Sequence, residues 1–396
     1  MAAKKIRVLY YGSAPLTYRG PGFYKFISTL RKDSSKSSFT AIINEYFNAE
    51  LFSWTKRINY KISEKHVYII DALPLIFNLI KKSIDKDILI VPGYPALLEL
   101  IILILVSKLK RIPIIVRETH WYWPKTRISK LLWYPYYNLL KFVNGIICPG
   151  KAAYQYWRKL GFRNIHIVHF YALESIMSRC NSTHMEELRR RYKIPNKNNI
   201  VILYLGRLIK KKGVDIVVKA FAKLIREAKN THAILIVAGD GPEKETLLKL
   251  TKKFNMENKI MFIGPIPEDE KECLYKLADV FVYTPIITEI PEEWPIAPLE
   301  AMSVGIPTII STAVGSIPDI AGGIIIVKHN DEHSLKHAMI KCIYDERFRD
   351  LMSRKALEIY KKITNENIIR REILEALLKI IKSVHKDRFS CQHFFN

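Results

Sequence analysis

The sequence predicts an α/β protein of two doubly wound, parallel-sheet domains, and three observations lead there. The first ~170 residues alternate short apolar runs with helical patterns, the signal of a parallel sheet covered on both faces. After a polar, patternless stretch the alternation starts again at Ile200-Val-Ile-Leu-Tyr-Leu205. Finally, 396 residues at 49% hydrophobic content suffice for two full cores. The expected boundaries are a first domain over 1–175, a linker over 176–198, a second domain over 199–366, and a C-terminal helix and tail over 367–396.

In the first domain, strands are expected at Ile6–Gly12, Val67–Ile70, Ile88–Val91, Ile112–Val116, Gly145–Cys148 and Ile165–Val168. Each ends in a loop with a small or polar residue, and such strand ends are where doubly wound sheets bind ligands. The loop Gly12–Gly22 is rich in residues that permit close backbone approach, although Gly20-Pro21-Gly22 is equally an ordinary turn. Ala96–Ser107 is a long apolar run, yet it is shorter than the ~20 residues of a membrane span and carries Glu99, so a buried helix is expected. Trp121–Lys141 interleaves seven Trp or Tyr with Lys125, Arg127, Lys130 and Lys141. That pattern fits either an interfacial membrane segment or a core helix with a basic outer face.

The linker carries a short basic helix, Met185–Tyr192, and turn residues at Pro195–Asn199. In the second domain Gly206 ends the first strand and Gly213 precedes a helix over Val214–Lys229, which leaves Arg207 and Lys212 in a loop at the ligand edge of the sheet. Lys210 and Lys211 belong to no motif and are expected to be solvated. Ile234–Pro242 and Ile260–Ile266 repeat the strand-to-glycine-turn theme, and Ala278–Pro285 is a further strand. Ile369, Ile373, Leu377, Ile380, Ile381 and Val384 form the stripe of a final helix.

The most informative stretch is Thr288–Pro307. Pro298 suits the first turn of a helix, Gly305 the position past its end, and Pro307 forbids its return, so a very short helix is bracketed. A helix start, here Ile296-Ala297, offers amides and partial positive charge to an anion such as phosphate. Glu292 and Glu300 flank it; carboxylates repel phosphate but accept hydroxyl groups, and hydroxyl-rich phosphates are sugar nucleotides. The spacing Glu292-x7-Glu300 followed by Ala301-Met302-x-x-Gly305-x-Pro307 resembles the signature of family 4 retaining glycosyltransferases, glycosyl transferases of group 1 with the GT-B fold. That fold is two Rossmann-like domains with an interdomain cleft.

The resemblance is close from Val201 to Ile326 and looser before. It implies that Glu292 approaches the donor sugar and Glu300 binds the ribose hydroxyls of the nucleotide. Gly206-Arg207-Leu-x-x-x-Lys212-Gly213 matches the family loop whose Arg and Lys clamp the donor diphosphate, and the paired cations would offset the charge of the departing group without a metal. Gly20 and Gly22 fall where the family has a Gly-Gly pair near the diphosphate. His120 matches a histidine that faces the donor sugar, and backbone near Ile266 would meet the base edge. Gly239-Asp-Gly-Pro242 would shape a turn near the nucleotide, with Asp240 structural. The family usually has glycines where this chain has Glu293 and Pro295, and Pro295 cannot donate a backbone hydrogen bond. Ser316 and Asp319 replace residues of the family's Gly-Gly-x-Pro-Glu turn.

The net charge of +25 is uneven: residues 1–180 hold 28 Lys and Arg against 10 Asp and Glu. Such asymmetry points toward a polyanion, and with the aromatic segment Trp121–Lys141 it favours an anionic membrane surface over nucleic acid. No secretory signal is read at the N-terminus. Five scattered cysteines, Cys148, Cys180, Cys273, Cys342 and Cys391, without a Cys-x-x-Cys argue for a reducing compartment and against zinc or a disulfide framework.

The expected function is therefore retaining transfer of a hexose from a UDP- or GDP-linked sugar to a glycan or lipid-linked glycan, at the cytoplasmic face of the membrane, with the nucleotide sugar as co-substrate and no cofactor. A retaining glycoside hydrolase could use two carboxylates, but has no use for Arg207 and Lys212. A non-catalytic basic membrane- or nucleic-acid-binding protein would bind polyanions in a salt-sensitive way and survive loss of Glu292.

Overall fold

The computed structural model describes residues 7–12, 48–53, 69–93, 97–122, 126–169, 180–194, 199–228, 231–288 and 291–384. The chain divides into two compact units, Met1–Leu173 with Glu366–Asn396, and Glu174–Asn365. The first unit carries β1 (Arg7–Gly12), β2 (Asn48–Ser53), α1 (Ile69–Ser83), β3 (Ile88–Pro92), α2 (Leu97–Lys110), β4 (Ile114–Arg117), α3 (Arg127–Leu140), β5 (Gly145–Cys148), α4 (Lys151–Lys159) and β6 (Ile165–Ile167). The second carries α5 (Ser182–Tyr192), β7 (Ile200–Leu205), α6 (Val214–Glu227), β8 (Ala233–Ala238), α7 (Lys244–Lys253), β9 (Ile260–Gly264), α8 (Lys271–Lys276), β10 (Val280–Tyr283), α9 (Ala297–Ser303), β11 (Thr308–Ser311), α10 (Ile317–Ile320), β12 (Ile325–Val327), α11 (Glu332–Tyr344) and α12 (Glu346–Ile363). The last helix, α13 (Glu366–Val384), belongs to the first unit.

Both sheets are parallel and six-stranded, in the orders β2-β1-β3-β4-β5-β6 and β12-β11-β10-β7-β8-β9. The central strands of the second sheet are near-continuous apolar runs, as strands buried on both faces are; all six residues of β8 are buried. In the first sheet the successive connections through α1, α2, α3 and α4 all step the same way, so right-handed crossovers place these four helices on one side. In the second sheet the strand order reverses between β7 and β10. Ligands of open α/β sheets bind outside the strand ends at such a switch point.

Two sequence expectations fail in the first unit. Ile69 and Ile70, expected in a strand, open α1, because a short apolar run cannot be assigned to strand or helix from its periodicity. The strand beside β1 is instead the edge strand Asn48-Ala-Glu-Leu-Phe-Ser53, paired in register from Arg7 opposite Asn48 to Gly12 opposite Ser53. Of the run Ala96–Ser107, expected as a buried helix, Leu97–Ser107 lies in α2 but is only half buried: Leu100, Leu103 and Ile104 face the core, while Leu98, Ile101 and Leu105 face solvent. The rings of the aromatic segment turn largely inward. Tyr136 and Tyr137 are buried and Trp133 packs against the same cluster with Trp157. The core-helix reading therefore accounts for these aromatics, and Tyr134 alone of these four α3 rings is exposed.

Helix α13 returns to the first unit with Ile369, Ile373, Leu377, Ile380 and Ile381 buried. Ile380 lies so close over Gly145 that a Cβ there would come within 2.4 Å of it. Glu372 fastens the helix by accepting from the His169 backbone amide at 3.0 Å, with the His169 ring Nδ1 also 3.0 Å from its other oxygen.

The cysteine reading is corrected in one respect. Cys180, just before α5, is bonded to Cys273 on α8, with Cα atoms 5.2 Å apart. The two lie 93 residues apart in sequence, so scatter and odd count concealed the pair. Cys148 and Cys342 are free and buried, while Cys391 lies outside the described residues. The ion pair of Arg191 with Glu270 spans the same two segments. Closing so long a loop restricts the unfolded chain by an amount worth about 2–4 kcal/mol. A reducing agent is therefore expected to lower the thermal midpoint of the wild-type protein and to leave that of Cys180→Ser unchanged, as read by circular dichroism.

Candidate functional site

The site grows from the two loops that leave the switch point of the second sheet, one after β7 and one after β10. The first is pinned by its neighbour: Leu208 donates to the Asp240 carbonyl at 2.8 Å, and Glu243 donates to the Leu208 carbonyl at 3.0 Å. This approach needs Gly239, whose Cβ would stand 1.9 Å from the Gly206 carbonyl oxygen. The turn Gly239–Pro242 thus braces the loop that carries Arg207. Beyond it, Lys210–Lys212 form one 3-10 turn, ended by Gly213 at φ 63°. A Cβ at Gly213 would meet the Thr284 carbonyl at 2.3 Å, so the turn seats directly on the strand end after β10. The Ile286 amide donates to the Lys211 carbonyl at 2.9 Å and completes the junction.

This folding brings Lys211, Lys212 and Glu292 together. Lys212 Nζ donates to Glu292 Oε2 at 2.9 Å and to the Tyr283 hydroxyl at 2.5 Å. The Tyr283 hydroxyl in turn donates to Glu292 Oε2 at 2.9 Å. Lys211, expected to be solvated, stands 3.0 Å from Glu292 Oε1 and is a member of the site. Arg207 is exposed nearby, and its charge is felt by Lys212 and Tyr283. Burial pushes the Glu292 carboxyl upward, but Lys212 and Lys211 together hold it below the usual carboxylate range. Burial also depresses Lys212, with Glu292 opposing. Lys211, Lys212 and Glu292 thus form a partly buried triad. The Glu292 backbone is fixed separately, bridging Val314 and accepting from the Gly315 amide at 2.9 Å.

The short helix α9 forms as its sequence predicts. Its end carries paired reverse bonds, Gly305 amide to the Met302 carbonyl and Ile306 amide to the Ala301 carbonyl, a Schellman closure. At its start, Ile296 and Ala297 are half-buried, and no side chain caps them. Glu300 points into the protein, 5% exposed. Tyr275 from α8 donates to Glu300 Oε2 at 2.8 Å, and Lys271 Nζ lies 3.6 Å from Oε1. Burial raises the Glu300 carboxyl above its ordinary range, against the opposing pull of Lys271 and Tyr275. The rings of Tyr275, Phe281 and Tyr283 follow one another at centroid separations of 5.4 and 6.4 Å, joining the two carboxylate sites through one aromatic row. Ile266 is half-buried in the loop after β9.

His120 belongs to the first unit, where it follows β4. Its Nδ1 lies 2.6 Å from Glu118 Oε2, and Tyr136 donates to the other oxygen of the same fully buried carboxylate. The Trp133 ring packs edge-on at 4.7 Å. Gly20 and Gly22 lie outside the described residues. Among the described residues no three His, Cys, Asp or Glu side chains gather as a metal site.

Residues 184–359 match the family profile "Glycosyl transferases group 1". The match lies within the second unit, which therefore resembles that family. The chain is 30% identical over 195 residues to N-acetyl-alpha-D-glucosaminyl L-malate synthase of Bacillus anthracis, covering 47% of each protein. It is 34% identical over 134 residues to the GDP-mannose-dependent alpha-(1-6)-phosphatidylinositol monomannoside mannosyltransferase of Mycobacterium tuberculosis, covering 33% of this chain and 34% of that protein. The chain thus spans less than half the length of these curated relatives. The crystal structure of Anabaena Alr3699/HepE in complex with UDP and glucose superposes with a TM-score of 0.67 at 17% identity, over 94% of this chain and 100% of that one. The fold is GT-B, as the group 1 motifs predict.

Sequence reasoning missed Lys211, Lys271, Tyr275 and Tyr283. Tyr283 ends a strand at the ligand edge and could have been found there, whereas Lys211, Lys271 and Tyr275 carry no local signal. Gly213→Ala would force a side chain into left-handed backbone, at about 1–2 kcal/mol, and into the Thr284 carbonyl. A loss of at least that size in chemical denaturation is expected.

Proposed function

We propose that the protein is a retaining hexosyltransferase that takes its sugar from a nucleoside diphosphate sugar. The observation that supports this most is the set of three cations, Arg207, Lys211 and Lys212, at the switch point of the second sheet, with Glu292 held between two of them. A diphosphate entering this loop would meet two lysines already partly desolvated and oriented, with exposed Arg207 beside them, where charge developing on the leaving group is offset effectively. It would also compete with Glu292 for both lysines. Binding of the donor would therefore release the carboxylate toward the sugar. We assign Glu292 to positioning the donor sugar, Glu300 to the ribose hydroxyls, the start of α9 at Ile296-Ala297 to the diphosphate, and the backbone near Ile266 to the base. His120 is assigned to the donor sugar, with Glu118 fixing its ring.

In this reading the leaving diphosphate is stabilised by side chains, and transfer needs no metal. Attack comes from the same face as departure, assisted by the leaving phosphate. The nucleotide is uridine or guanosine diphosphate; relatives named for either kind of donor share this domain. The acceptor is a glycan or lipid-linked glycan at the cytoplasmic face of the membrane, with an anionic lipid surface as partner, as the basic first domain suggests. No helix among the described residues is long and apolar enough to cross a membrane.

A panel of UDP-glucose, UDP-GlcNAc, UDP-galactose and GDP-mannose, scored by thermal shift and hydrolysis in the presence of EDTA, tests the donor and the metal independence together. One donor is expected to stabilise the protein and be turned over. Glu292→Gln should keep the shift but lose activity by about 10²–10³-fold, the scale of a transition-state contact. Full activity in that variant would refute the assignment.

The Glu300 carboxyl must be ionised to accept ribose hydroxyls. Because its affinity for protons is raised, nucleotide binding should weaken as pH falls through a range above the ordinary value of 4.5. Lys271→Met and Tyr275→Phe each remove a group that lowers that value, so each should move the loss to higher pH. Calorimetric titration across pH reads both.

A further inference from the structure

We propose that the outer face of α2 and α3 is the surface by which the first unit docks on an anionic lipid bilayer. Leu98, Ile101, Leu105 and Leu109 recur at helical spacing along α2, all exposed, with Leu105 at 55% and Leu109 at 81%. They form one stripe about 17 Å long at the rise of an α-helix. Helix α3 packs beside α2 on the same side of the sheet and adds Ile128 and Leu131, each 73% exposed. Exposed apolar residues that recur along one helix face and again on its neighbour, unlike scattered single residues, mark an interaction site.

Charge identifies the occupant. Residues 97–142 contain only two carboxylates, Glu99 and Glu118, and both are buried. The same segment exposes Lys108, Lys110, Arg111, Arg127, Lys130 and Lys141. Leucine and isoleucine ringed by cations and free of exposed acids match the boundary between acyl chains and anionic headgroups. A second copy of this chain would bring like charges together with no acid to pair them, and a nucleic acid would leave the aliphatic stripe unused. The aliphatic residues supply contact area, and the cations supply selectivity for acidic lipid.

This inference rests on the reading of the protein as a peripheral membrane enzyme, but not on its transfer chemistry. The test is co-sedimentation of the full chain with vesicles of phosphatidylcholine alone or with 30% phosphatidylglycerol (about the charge of an acidic leaflet). The wild type is expected on the mixed vesicles and not on phosphatidylcholine, with binding weakened by salt. The double variant Leu105→Glu, Leu109→Glu should bind at least tenfold less while its melting temperature and its thermal shift with UDP or GDP stay those of the wild type. Wild-type affinity in the double variant, or equal binding to both vesicles, would overturn the proposal. So would light scattering that shows a dimer dispersed by the double variant, since the face would then join two copies. Loss of nucleotide shift in the wild type would instead count against the transferase reading and leave docking standing.

Discussion

The structure depends on a carboxylate held between two lysines. Glu292 arrives on the loop after β10, Lys211 and Lys212 on the loop after β7, and the two strands are neighbours only because the sheet reverses its order there. Removing charge from water is costly, and such a triad persists where each member is paired and hydrogen-bonded. Tyr283 meets that need by donating to Glu292 while receiving from Lys212. The resting site is therefore self-neutralised, and an anion that displaces Glu292 inherits cations already set in place.

The rest of the second unit serves that arrangement. The turn at Gly239 braces the Arg207 loop, Gly213 seats the lysines on the strand end, and the Schellman closure of α9 fixes the span that carries both Glu292 and Glu300. Tyr275 and Lys271 hold Glu300 from α8, which the Cys180–Cys273 bond ties to the chain leading into the unit. The first unit uses the same logic on a smaller scale: a fully buried Glu118 orients His120 and Tyr136 at a strand end.

Much of this was legible in the sequence because short-range signals govern it. Glycines at 213 and 305, prolines at 298 and 307, and apolar strands of four to six residues mark turns and sheets without tertiary information. The family motif then brought Arg207, Lys212, Glu292 and Glu300 to one domain. What escaped depends on contacts between distant segments. The edge strand Asn48–Ser53 breaks its apolar residues with Asn48, Glu50 and Ser53, so no apolar run marks it. Lys211 differs from Lys210 only in where a 3-10 turn leaves it, and Tyr275 is a residue of a two-turn helix until Glu300 packs against it. The apolar run of α2 gave no sign that one side would stay exposed, since leucine and isoleucine occupy both sides.

The central claim is that desolvated lysines, loosely neutralised by Glu292, recognise a diphosphate. Isothermal titration of the wild type and Lys212→Met with the nucleoside diphosphate and the matching monophosphate measures it most directly. The account predicts a marked preference for the diphosphate in the wild type that largely disappears in the variant. An undiminished preference in Lys212→Met would contradict it.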